Sequence, residues 1–162
     1  MKRSTHNIFS FAIGLWLAEA LPITSYLIVN TITVVALSTF VNWFIDSIGG
    51  HNRYRRTPYT HSLLGVLLVS TIVAILINLL ILSTKIAISH QIIQKIFVIS
   101  LVIGLSHLLL DSLTADGIVL MWPFIKKRFA FTKMRFDNKL LNGLTTLISI
   151  MLLALYINYK IA

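Results

Sequence analysis

The chain has 162 residues, of which 57% are hydrophobic and only 12% charged, with a mean hydropathy of +0.87. A water-soluble domain of this size does not carry so much apolar surface, so composition points to an integral membrane protein and leaves no room for a disordered or low-complexity region. The chain contains no cysteine, so any metal must be held by His and carboxylate, and its net charge of +9 marks loops facing acidic headgroups rather than a nucleic-acid surface.

The N-terminus, Met-Lys-Arg-Ser-Thr-His, resembles the start of a signal peptide without a convincing cleavage pattern and reads as a retained signal anchor. The first apolar segment covers residues 7–21, carries Glu19 near its end and stops at Pro22. It is short for a perpendicular crossing, which takes about 20 residues. The second, residues 23–45, has the length of a span and nothing in it breaks a helix. Residues 46–61 then form a polar loop with two glycines, a proline and three arginines. A third span is predicted over residues 62–84, with the hydroxyl of Thr60 or Ser62 available to cap it, and a fourth over 91–113. Gly117 offers a left-handed turn after the fourth. A second loop, 114–139, combines Met121-Trp122-Pro123-Phe124 with six basic residues, and the last span is residues 140–158. The expected fold is therefore a single all-α membrane domain, a bundle of five transmembrane helices.

With the N-terminus cytoplasmic, one face collects Lys2, Arg3, Arg53, Arg55, Arg56, Lys126, Lys127, Arg128, Lys133, Arg135 and Lys139, eleven in all, against Lys85 and Lys160 on the other. That asymmetry is the positive-inside pattern. The same topology gathers His6, Asp46, His61, His107 and Asp111 at the cytoplasmic ends of different spans. His107 and Asp111 are four residues apart, on one helical face, one to two turns inside the boundary, where an unpaired ionisable group is costly. Three imidazoles and two carboxylates suit a divalent ion, zinc foremost, with manganese or iron as the other candidates. Arg55 and Arg56 would suit an anionic substrate, and His51 or Asp116 would accept a proton. Glu19 falls on the opposite face and is better explained by a local hydrogen bond or helix packing.

Thr60-His61-Ser62-Leu63, following an Arg-rich loop, and Ser106-His107-Leu108-Leu109-Leu110-Asp111-Ser112-Leu113-Thr114 with Gly117 together resemble the signatures of the YdjM-like family of inner-membrane proteins, described as membrane-bound metal-dependent hydrolases. Similarity to a related archaeal group of membrane proteins is also present. Thr5-His6, the Asp ending the second span and Trp122-Pro123-Phe124 extend the resemblance over nearly the whole chain. It implies a multi-pass helical protein with a metal site at the five positions already named. Where the family commonly has Pro-Asp-x-Asp-His, this chain has Ile45-Asp46-Ser47-Ile48-Gly49-Gly50-His51, without the second Asp, so one ion is expected rather than two. The expected function is a metal-dependent hydrolase acting on an anionic, lipid-like phosphoester at the cytoplasmic face of the cell membrane. Its rival is a non-catalytic membrane protein whose basic face binds acidic lipid or a partner protein.

Overall fold

The computed structural model describes residues 1–47, 51–52, 55–83 and 89–162. Five helices follow in order: α1 (Arg3–Ala20), α2 (Leu27–Ser47), α3 (Leu63–Ser83), α4 (His90–Ser112) and α5 (Lys139–Ile161). Between α2 and α3, β1 (His51–Asn52) pairs antiparallel with β2 (Arg55–Arg56), the only strands among the described residues. The side chains of His51 and Arg55, expected to act at the site, lie outside what is described.

Four of the helices, α2 to α5, are long and apolar enough to cross a membrane. The expected count of five spans is met only as a count of helices. α1 has 18 residues, about 27 Å of helix, but its hydropathy is diluted by Arg3, Thr5, His6, Asn7 and Glu19. Those side chains are tolerated because α1 packs against α2, α4 and α5, so that much of its polar surface meets protein instead of acyl chains. Trp16 donates from Nε1 to the Leu152 carbonyl at 3.1 Å and meets Tyr156 edge-to-face, tying α1 to α5.

Local chemistry sets the boundaries. α2 starts at Leu27, later than the expected residue 23, because Asn30 accepts from the Thr24 amide at 2.9 Å and donates to the Thr24 carbonyl at 2.9 Å, stabilising a turn over residues 21–26. Ser62 caps α3 through the Gly65 amide at 3.0 Å, and Asn138 caps α5 through the Leu141 amide at 2.9 Å. After α4, Gly117 adopts φ +57°, in the left-handed region, against the Phe129 backbone. The core is aliphatic, centred on Leu15, Val34, Val41, Val66, Ile99 and Ile103. Gly104 lets α4 approach α3 closely, since a Cβ there would sit 2.5 Å from Val66 Cγ1.

Candidate metal centre

His6 lies in the second turn of α1, Asp46 in the last turn of α2, His61 just before α3, and His107 and Asp111 in the last two turns of α4. Alternating helix directions bring these ends together. Four of the five side chains converge: one ligand atom each from Asp46, His61, His107 and Asp111 lies within 4.8 Å of the others, and this buried group could hold a metal ion.

The edges of the group are informative. Asp111 Oδ2 lies 3.3 Å from His107 Nε2 and 3.4 Å from His61 Nε2. Asp46 Oδ1 lies 3.5 Å from His107 Nε2 and 3.7 Å from His61 Nε2. Tetrahedral ligation with bonds of roughly 2.0–2.2 Å requires ligand–ligand edges of about 3.3–3.6 Å. The four His–Asp edges are at or slightly above those values, and all four ligand atoms lie within 4.8 Å of one another, so the group could hold one ion.

Neighbouring groups fix what the imidazoles present. Asn42 donates from Nδ2 to Asn7 Oδ1 at 3.0 Å and to Ser10 Oγ at 2.8 Å, which leaves its Oδ1 as an acceptor, 3.0 Å from His107 Nδ1. Nδ1 of His107 therefore carries a proton, which leaves Nε2, facing the carboxylates, as the nitrogen that could bind an ion. Thr60 Oγ1 stands 3.1 Å from His61 Nδ1 and can fill the same role there. Among the described residues, His107 Nε2 and Asp111 Oδ2 are buried without a hydrogen-bond partner. Arg56 Nε is 2.6 Å from Oδ2 as an ion-pair contact, but misaligned for a hydrogen bond. Buried polar atoms left so cost free energy; a cation between them would satisfy both, and the residues present fit it.

His6, expected as a fifth ligand, stands behind the group. Its Nε2 meets the other oxygen of Asp111, Oδ1, at 3.0 Å, and its ring stacks on His107 with centroids 4.0 Å apart. Arg56, expected to meet a substrate anion, is turned inward: it reaches Asp111 Oδ1 through Nη2 at 2.8 Å and Thr114 Oγ1 through Nη1 at 2.8 Å. Burial of Arg56 against a buried carboxylate makes this its most favourable partner. The α-amino group of Met1 also lies 2.6 Å from Asp111 Oδ1; burial lowers its pKa from the ordinary value, against the pull of Asp111. Asp116, expected to take a proton, is half-buried and outside the converging group, its carbonyl accepting from Arg128 at 3.0 Å.

Reading the sequence alone missed Asn42 and Arg3. Asn42 precedes Asp46 by one helical turn and so shares its face, a signal that was legible. Arg3, half exposed, reaches Ser47 Oγ at 3.2 Å and stands 3.9 Å from Asp46 Oδ2. Asp46 is the least buried of the four donors, with its side chain 13% exposed against 1% or less for the others.

No curated protein and no solved structure matches the chain. The family model described as YdjM inner membrane protein matches residues 1–162. With a match over its whole length and four helices able to cross a bilayer, the chain belongs to the YdjM family of inner membrane proteins.

Proposed function

We propose that this protein is a metal-dependent hydrolase that acts on an anionic, lipid-like phosphoester at the cytoplasmic face of the membrane. The observation that carries the proposal is the convergence of two imidazoles and two carboxylates, one ligand atom of each within 4.8 Å of the others, in a buried setting. Asp46, His61, His107 and Asp111 would hold one divalent ion, with zinc the best match to the donor set. When bound, the ion would supply Lewis-acid polarisation; Asp46, the most exposed of the four donors, would yield its place to a water, which the ion would acidify for attack at neutral pH.

The chain's own residues prepare the site. Asn42 holds His107 in the ligating tautomer, His6 holds Asp111 through Oδ1, and Arg56 spans both oxygens of Asp111. Arg56 opposes one of the two carboxylate charges, so a divalent ion added to them leaves the centre positive and attractive to a phosphate. Asp46 is the exposed edge, and Arg3 beside it takes the role first expected of Arg56, binding the substrate anion. The cytoplasmic assignment is supported by the charge asymmetry of the sequence, eleven basic residues against two.

The test is purification in detergent without chelator. One divalent ion per chain is expected by elemental analysis, lost in Asp46→Ala and His107→Ala, together with chelator-sensitive release of phosphate or alcohol from a panel of phospholipids and polyprenyl phosphates. A metal-free protein with unchanged stability in His107→Ala would refute it. The rival, a non-catalytic protein with a structural polar knot, draws on the ion pairs of Asp111 with Arg56 and the α-amino group; it predicts no metal and lowered stability in His107→Ala.

A further inference from the structure

Residues 114–138 connect α4 to α5 without a helix, yet their backbone is fastened to the end of α4. The Phe131 amide donates to the Ser112 carbonyl at 2.7 Å, Thr132 Oγ1 to the Leu113 carbonyl at 2.6 Å, and the Ala115 amide to the Met134 carbonyl at 2.7 Å. Ile118 and Phe129 form an antiparallel bridge. The segment is thus held at the depth where α4 leaves the bilayer, on the same end as the four donors.

Its surface is unlike that of a water-facing loop. Phe124 is 87% exposed, Phe131 61% and Phe129 45%, and Ile125, Met121 and Phe136 are exposed with them. Exposed Lys126, Lys127 and Lys133 are interleaved among them. On a membrane-crossing helix such apolar exposure simply faces lipid, but irregular backbone is excluded from the hydrocarbon because its polar groups need water. The arrangement that satisfies both demands has the backbone among the headgroups, the rings dipping into the acyl region and the ammonium groups on phosphates. A recess of about 280 Å³ between the segment and the helices, lined by Leu63, Leu105, Leu109, Leu120, Phe129 and Phe131, is almost wholly apolar and suits part of an acyl chain.

We infer that this segment is a lipid-binding surface selective for anionic phospholipid, with the acyl chain in the recess beneath Phe129 and Phe131 and the headgroup on Lys126, Lys127 and Lys133. The occupant is lipid, not a peptide, because positive charge alternates with rings at one interfacial depth while the recess offers almost no polar atoms to pair a peptide backbone. The inference holds for either orientation of the molecule and does not depend on hydrolase activity.

The absence of cysteine makes single-cysteine labelling direct. Phe124→Cys, Phe131→Cys and, as a control on the lipid-facing side of α5, Leu155→Cys would each carry an environment-sensitive fluorophore in full-length protein. They would be reconstituted into phosphatidylcholine vesicles containing spin-labelled phosphatidylglycerol or spin-labelled phosphatidylcholine. The 124 and 131 probes should be shielded from aqueous iodide and quenched more strongly by the anionic lipid, whereas the 155 probe should show no preference. Adding Lys126→Glu, Lys127→Glu and Lys133→Glu should reduce the preference at least about fivefold, the effect of even one cation near an anionic surface, while the 155 probe confirms that the bundle is still inserted. Iodide-accessible probes at 124 and 131, or equal quenching by both lipids in the unreversed protein, would overturn the inference; accessibility would assign the patch to a protein partner.

Discussion

At the scale of single residues, the site is decided by which nitrogen or oxygen each side chain leaves for its neighbours. Asn42 contributes no ligand, yet its Oδ1 sets the proton of His107. Asn42→Ala should therefore lower divalent-metal affinity about 10–100-fold, measured by competition with a chelator, while the fold persists. Arg56 acts on the opposite side, and Arg56→Gln should destabilise the protein by about 3–5 kcal/mol by leaving the buried Asp111 carboxylate without its guanidinium. A drop in thermal transition temperature in detergent, partly reversed by added metal, is the expected readout. The residue types in these roles were legible in the sequence: His61, His107, Asp46 and Asp111 were all expected as ligands and converge. Three expected site residues, His6, Arg56 and Asp116, lie outside the converging group. Which oxygen of Asp111 a neighbour reaches, and whether a guanidinium points in or out, depends on distances between elements far apart in the chain.

At the scale of elements, hydropathy located four helices that can cross the bilayer and left α1 ambiguous. α1 is polar because it supplies His6, Ser10 and Asn7 to the network around the donors, and partners from α2, α4 and α5 make those groups tolerable. Ser62 caps α3 as expected, whereas the delayed start of α2 follows from Asn30, which spacing alone did not single out. Close helix approach is equally local in cause. Gly104→Val should push α4 from α3 at Val66 and cost about 1–3 kcal/mol, checked by denaturation in mild detergent; a variant as stable as the parent would mean that the contact is slack.

At the scale of the whole molecule, two ends of the bundle have different chemistry. One end carries the four donors and the basic segment. At the other, Lys160 pairs with Glu19 at 2.6 Å and Tyr156 donates to the same carboxylate at 3.3 Å, joining the ends of α1 and α5. Glu19 was expected to serve a local hydrogen bond or helix packing; it joins two helices through partners far away in the chain. Five helices crossing in alternation with the donor end cytoplasmic predict that a C-terminal alkaline phosphatase fusion is active and a C-terminal green fluorescent fusion dark; the reverse result would invert the orientation. Composition by itself determined that the chain lives in a bilayer, because its apolar content cannot be buried in so small a soluble fold, and the charge pattern with the His and Asp spacing determined which ends could carry chemistry. Only the tertiary structure decided that one ligand atom each of Asp46, His61, His107 and Asp111 falls within 4.8 Å of the others, that His6 and Arg56 both contact Asp111, and that the basic segment is fastened to the end of α4. Those outcomes depend on long-range contacts between helix ends, which no local periodicity encodes.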